Sequence, residues 1–271
     1  MSRMPRVVLY ASAVCAAIAA AYPFVFMVQT ALKTTGEFLQ SPLALPFPPT
    51  FDSLATVLGA DFVDFFINSM IVSTVSVGAA TLLGAMAAYP LAMMDFRLNR
   101  PLYVLFVAGL VVPVHAVIIP VFVLTLQLNL YDSLFALIGP YIGFNLPITI
   151  LIVTQFFSEI PKEVVEAASI DGASHFRKFR TIVLPLSMPA LSTVTIYNLI
   201  FIWNEFIFAL TLTGSRANAT LPVGLRQLFG QYTVNVPAVM MALTLASLPV
   251  LLFFLSAQER VIQGLTAGAG K

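Results

Sequence analysis

Charge is scarce in this chain: 13 lysines and arginines and 12 aspartates and glutamates are spread over 271 residues. So thin a supply cannot cover the surface of a soluble domain, in which about a quarter of residues are charged. With 59% hydrophobic residues and a mean hydropathy of +0.96, the composition belongs in a membrane. Cysteine is nearly missing as well. Cys15 stands alone, so it offers neither a disulfide nor a metal site and reads as a small hydrophobe. Nor is there a basic excess, and a net charge of +1 argues against nucleic acid, because phosphate binding needs clustered cations. Low-complexity tracts and convincing internal repeats are also lacking.

What is present is apolar length. A spanning helix needs about 20 mostly apolar residues, and six stretches qualify, at roughly 7–32, 65–94, 102–126, 134–157, 190–212 and 236–257. The chain therefore reads as all-α, a polytopic membrane protein with six transmembrane helices in a single domain over 1–271. Lys and Arg in short loops stay in the cytoplasm. Ten fall on one side (Arg3, Arg6, Arg97, Arg100, Lys162, Arg177, Lys178, Arg180, Arg260, Lys271) and three on the other (Lys33, Arg216, Arg226). Both termini are thus expected in the cytoplasm. The first span resembles a signal peptide in its basic start, but its apolar run continues through Phe24 to Val28, which favours a retained anchor. Asn218-Ala219-Thr220 matches a glycosylation sequon, a triplet common by chance. Pro90, Pro113, Pro120, Pro140, Pro147 and Pro249 fall inside spans and are candidates for kinks or breaks.

The charges concentrate in one place. Between Glu159 and Arg180 lie eight of them, within a polar loop at 158–189. Pro161 suits a first helical position, and Glu163 and Glu166 then complement the helix dipole, so a short helix is expected over about 161–171. Val165, Ala168, Ser169 and Gly172 share one stripe of that helix, small enough for another surface to approach closely. Asp171-Gly172 is a stop signal. A second helix is expected to start near Ser174, carry Phe176 to Arg180, and end before Pro185. Two readings stay open: a knob for a partner's socket, or a solvated loop whose charges enforce topology.

Glu166-Ala167-Ala168, two residues, Asp171-Gly172-Ala173, eight residues, then Ile182-x-Leu184-Pro185 resembles the EAA loop of permease subunits in binding-protein-dependent ABC importers. Trp203-Asn204-Glu205-Phe206 and Gly264-Leu265-Thr266-Ala267-Gly268, with the six-span layout, are similar to the carbohydrate-uptake branch and its maltose-type second permease. The resemblance is strongest over a permease core of about 63–267 and assigns no role to 33–64. It implies a type I importer permease fold and a non-enzymatic transporter subunit of the bacterial inner membrane. Glu166, Ala167, Ala168, Asp171, Gly172, Ala173, Ile182, Leu184 and Pro185 would dock a cytoplasmic ATPase. The chain would bind no cofactor, with ATP and Mg on that ATPase. Its partners would be a homologous permease in a heterodimer, two ATPase subunits and an extracytoplasmic solute-binding protein. The latter would meet the outer loop 213–235 with Arg216 and Arg226. Alternating access would carry a sugar or sugar-like solute inward.

No engine is expected in the chain itself. The tail from Gly264 to Gly270-Lys271 misses the P-loop spacing and lacks the following Ser or Thr. His115 and His175 lie on different segments, so no catalytic or metal constellation is expected. Glu205 is the acidic residue well inside a predicted span, in its outer half, where an ionisable group usually faces a bundle interior or a wet cavity. With Asn198, Trp203 and Asn204, and with Tyr141, Asn145 and Gln155 of span four and His115 of span three, it could line a route for a hydroxyl-rich solute. Polar groups of this kind also glue helices together. A secondary transporter or channel for a small polar solute, working without an ATPase, is the alternative; it would want midplane coupling carboxylates and inverted halves, and neither is visible.

Overall fold

The computed structural model describes residues 6–59, 61–228 and 235–269, so Arg3, the tip of the outer loop at 229–234, and Gly270-Lys271 lie outside the described residues. Among the described residues there are helices and loops and no strands. Two compact units can be separated, one of residues 1–66 and 224–248 and one of 67–223 and 249–271.

In the first unit, α1 (Arg6–Ala31) is a helix whose apolar window is exposed along its whole length. Apolar surface of that kind needs lipid or another protein around it. Thr34 then caps α2 (Thr35–Gln40): its hydroxyl accepts from the Glu37 N–H at 3.2 Å while the Glu37 carboxylate accepts from the Thr34 N–H at 2.8 Å. Those bonds, led by the Thr34 backbone donor, hold the Glu37 carboxyl below the usual carboxylate range. Lys33 is buried, its ammonium donating to the carbonyls of Ser41 (3.2 Å) and Pro42 (2.7 Å), and α3 (Asp52–Leu58) follows.

Span two is α4 (Phe62–Met93), an unbroken helix despite Pro90. The third expected span is broken: α5 (Asn99–Ala108) and α6 (Ile118–Gln127), each extended by a 3₁₀ turn, meet at 90°. Val112 is extended there, as steric conflict with the ring of Pro113 favours. Pro140 and Pro147 leave α7 (Phe135–Ser158) continuous, and Pro249 does the same in α14 (Val236–Ala269). Proline alone does not break these spans.

Within the second unit α7 is the central helix, with Leu137, Ile150, Val153 and Phe157 fully buried and its sides packed on α5 and on α11 (Met188–Trp203). α4 approaches it so closely at Gly84 that an added methyl would overlap the methyl of Thr149. Gly84→Ala is therefore expected to lower stability in detergent by about 1–3 kcal/mol. Thr149→Ser, which removes the obstructing methyl and keeps the hydroxyl, should restore part of the loss. If the two losses in thermal-unfolding scans simply add, the close approach is not what limits position 84.

Span five departs from expectation. The predicted continuous helix over 190–212 stops at Trp203 and resumes as α12 (Ile207–Leu212), leaving residues 204–206 non-helical. The Asn204 side chain donates to the Ile200 carbonyl at 2.8 Å, and the Glu205 carboxylate takes the Phe208 N–H (2.9 Å) and Ala209 N–H (3.2 Å). Side chains thus compete with the helical ladder and win locally. Among the described residues four unbroken helices are long and apolar enough to cross a membrane, and up to six spans result if each of the two bent pairs counts as one.

Candidate functional site

The charged loop forms α8 (Lys162–Ile170) and a second short helix, as its signals require. Asp171 ends α8 and Gly172 follows at φ +74°, in the left-handed region. The Gly172 N–H donates to the Ser169 carbonyl (3.1 Å) and the Ala173 N–H to the Ala168 carbonyl (2.9 Å), the paired bonds of a Schellman turn. The spacing from the Glu-Ala-Ala triplet to Asp-Gly-Ala is therefore one helix and its stop. Ser174 caps α9 (His175–Lys178) by accepting from the Arg177 N–H at 3.3 Å.

The second helix does not end before Pro185. It widens into a π turn at Phe179–Val183, in which the Leu184 N–H reaches back to Phe179, and continues through Pro185 as α10 (Leu184–Leu186). A five-residue turn just ahead of the proline accommodates its ring and missing donor. α10 and α11 then meet at a bend of 78°.

Packing corrects which face α8 presents. Val165 and Ala168 are half-buried, Val165 lies against the cluster built from Ala85, Tyr89, Val153, Phe157, Phe179 and Val183, and the Ser169 hydroxyl accepts from Lys178 at 3.0 Å. Val165 and Ala168 of the small stripe thus turn toward the chain's own bundle, while Ser169 and Gly172 are exposed. Lys178, expected in water, is buried. The exposed face carries Glu163, Glu166, Ala167 and Ile170, and Ile170 is 88% exposed. Asp171, Gly172 and Pro185 are exposed too, while Ala173, Ile182 and Leu184 are half-buried. Ile170 and Phe176, 67% exposed, were missed as candidates; their signal was a large apolar side chain inside a charged run. His175 is exposed, with its Nδ1 3.5 Å from the Tyr89 hydroxyl.

The second cluster lies along α7 and α11. Asn198, fully buried, donates to the Thr149 hydroxyl (3.0 Å), which donates to the Asn145 carbonyl (2.7 Å); Asn145 donates to the Tyr141 carbonyl (2.8 Å). The Tyr141 hydroxyl donates to Glu205 at 2.6 Å. With Phe208 and Ala209, the Glu205 carboxylate thus collects three donors in the break and caps α12. Ser69, Ser73, Trp203 and Thr220 also surround it, leaving no water-sized space. Asn198 and Glu205, expected on one continuous helix with Trp203 and Asn204 between them, are divided, because the helix ends at 203. Trp203 is buried and Asn204 exposed, and Gln155 and His115 are exposed as well.

At the end of α7 away from α8, about 36 Å off for a helix of 24 residues, Asp132 binds the start of the outer loop. Its carboxylate accepts from the N–H groups of Ser215 (2.9 Å) and Gly214 (3.0 Å) and from the Ser215 hydroxyl (2.9 Å). These donors, the Ser215 N–H foremost, hold its carboxyl below the usual range against the opposing pull of desolvation. Asn218 donates to the Asp132 carbonyl at 2.6 Å, so the amide of the sequon is in use within the fold. Arg216 and Arg226 are exposed.

The bent and unbroken apolar helices are those of a membrane protein, with a capped short helix in the charged loop. The family model described as "Binding-protein-dependent transport system inner membrane component" matches residues 80–266, and the chain belongs to that family: it is an ABC importer permease, a multi-pass membrane subunit and not an enzyme. A protein of Caldicellulosiruptor named as an ABC transporter permease is 45% identical over 92% of this chain and 91% of its own length. The trehalose/maltose transport system permease protein of Thermococcus litoralis is 32% identical over 99% of this chain and 98% of its own. In fold, the chain is similar to one from the crystal structure of a bacterial ABC transporter importing the acidic polysaccharide alginate, with TM-score 0.82 and 22% identity over 96% of this chain and 98% of that one. The general partner types of such importers, ATPase and binding protein, follow from the family.

Proposed function

We propose that this permease carries a sugar or sugar-like solute, pairs with a homologous permease as a heterodimer, and engages two ATPase subunits through the exposed face of α8. The observation that carries the docking reading is the Schellman-capped α8, whose Glu163, Glu166, Ala167 and Ile170 are exposed while Val165 packs against the cluster that includes Phe179 and Val183. A carboxylate for a partner cation, next to an alanine for close contact and an isoleucine to bury, is a surface suited to a socket. Glu166, Ala167, Ala168, Asp171, Gly172, Ala173, Ile182, Leu184 and Pro185 form or support it. ATP and Mg reside on the ATPase. The cation bias of the loops favours a bacterial inner-membrane topology with both termini inside.

For the solute, the length-wide similarity to a trehalose/maltose permease supports a neutral glycan. Asn145, Asn198, Trp203, Asn204 and Glu205 are the candidate lining of the route when the bundle opens, since amides and a carboxylate suit hydroxyl groups. Arg216 and Arg226 are the candidate contacts for the binding protein. The test is uptake of labelled mono-, di- and oligosaccharides by proteoliposomes holding the full assembly, with ATP inside. Uptake is expected for a glycan, dependent on ATP and on binding protein. Arg216→Glu with Arg226→Glu is expected to raise the half-saturating binding-protein concentration about tenfold. Uptake by this chain alone without ATP would favour the secondary-transporter reading, and an unchanged charge-reversed variant would remove the outer loop from the contact.

A further inference from the structure

The loop after α12 has almost no ladder of its own, only a 3₁₀ turn at Arg216–Asn218, yet its backbone groups are taken one after another by side chains from elsewhere. Asp132 does most of this. It sits in the turn between α6 and α7 with φ +57°, a conformation that Asp tolerates better than most residues. Its own N–H donates to the carbonyl of Leu212, the last residue of α12, at 2.9 Å. Its carboxylate holds the Gly214 and Ser215 N–H groups and the Ser215 hydroxyl, while Asn218 bonds back to its carbonyl. Further on, Asn68 donates to the carbonyls of Ala217 (2.8 Å) and Ala219 (2.9 Å), and the Ser69 hydroxyl accepts from the Leu221 N–H at 2.7 Å. α12 is consequently tied at both ends: Glu205 caps its start and Asp132 its finish.

We propose that Asp132 is a positioning residue: it holds residues 212–218, and with them Arg216, in the geometry that receives the extracytoplasmic binding protein. This rests on the reading of that loop given under Proposed function. A carboxylate gathering backbone donors outside the bundle forms charge-assisted bonds that a neutral residue cannot replace in full. Freed from them, residues 213–218 regain conformational freedom and must be ordered again when the partner lands. That ordering cost appears as weaker affinity, with the catalytic cycle downstream left intact.

The experiment uses the complete assembly in lipid discs, its own binding protein as the titrated probe, and ATP hydrolysis as the signal. Asp132→Ala is expected to raise the half-saturating binding-protein concentration about tenfold, the scale of re-ordering roughly one backbone residue, with the maximal rate within about twofold. Asp132→Asn keeps the accepting oxygen and should stay within about threefold of the native chain. In a Cys15→Ser background, a nitroxide on Ala217→Cys should be immobile in the native chain and in Asp132→Asn, and mobile in Asp132→Ala. Should Asp132→Ala fail to assemble, Ser215→Ala with Asn218→Ala removes the two side-chain donors of the loop while leaving the Gly214 and Ser215 N–H bonds to Asp132, and is expected to shift half-saturation in the same direction by about threefold. A mobile label with unchanged half-saturation, or an immobile label in Asp132→Ala, overturns the proposal. The underlying reading fails separately: there, reversing Arg216 and Arg226 leaves half-saturation untouched, whereas failure of this inference alone leaves that reversal effective.

Discussion

Gly172→Leu is expected to abolish solute uptake and ATPase docking while membrane insertion and pairing with the companion permease persist. Gly172 holds φ +74° at the end of α8, where a residue with a Cβ costs about 1–2 kcal/mol. Beyond the adjoining residues, no described atom lies within 4 Å of where that Cβ would be, so the substitution does not injure the bundle. Its effects are a strained Schellman turn, which loosens the carbonyls of Ala168 and Ser169, and a leucine projecting into the space that the proposed ATPase contact would occupy. Gly172→Asn separates the two, because Asn tolerates the left-handed region: docking should be weakened far less than with Leu. Co-purification of the ATPase with each variant, followed by ATP-driven uptake, checks the expectation. Normal transport by Gly172→Leu would show that the loop is not the coupling element.

Glu205→Ala is expected to be the most destabilising substitution within the spans. It removes the acceptor for the Tyr141 hydroxyl and for the N–H groups of Phe208 and Ala209, and both of those residues are buried. Each polar group left unpaired in such surroundings costs about 1–3 kcal/mol, so a loss on the order of 3–5 kcal/mol is expected. Glu205→Gln retains one accepting oxygen and should lose less than half of that. In a double-mutant cycle with Tyr141→Phe the two losses should fail to add by about 1 kcal/mol or more. Thermal unfolding of the assembly in detergent provides the numbers. If Glu205→Ala melts with the native chain, the carboxylate does not cap α12, and a role confined to the solute route becomes the better account.

The spans and the helices of the charged loop were legible because their signals are local. Apolar runs of about 20 residues declare a crossing regardless of what lies beside them, and four of the six spans are unbroken helices. Pro161, Asp171-Gly172 and Ser174 mark helix ends through bonds within a few residues of themselves, and the ends fell there. Phase was harder. The small stripe of α8 was expected outward, yet Val165 and Ala168 are half-buried, Val165 against the apolar cluster that includes Phe179 and Val183. A single helix cannot tell which of two acceptable faces its neighbours will cover. The break at 204–206 escaped notice for a related reason: Glu205 gains its third donor from Tyr141, 64 positions away. Asp132 was overlooked entirely, as an acid in a turn looks like any solvated loop residue until the segment 82 and 83 positions on folds against it.

By itself, then, the order of residues determined the solvent of this protein, the number of its crossings, the site of its charged knob and the turn that shapes it. Those depend on transfer of apolar side chains out of water and on hydrogen bonds closed within a turn or two of helix. Tertiary structure alone decided which face of the knob is presented, where the fifth span parts, and which carboxylates are held by distant donors. In a bundle of apolar helices the few polar groups must find one another, and their partners are chosen by packing between segments far apart in the chain.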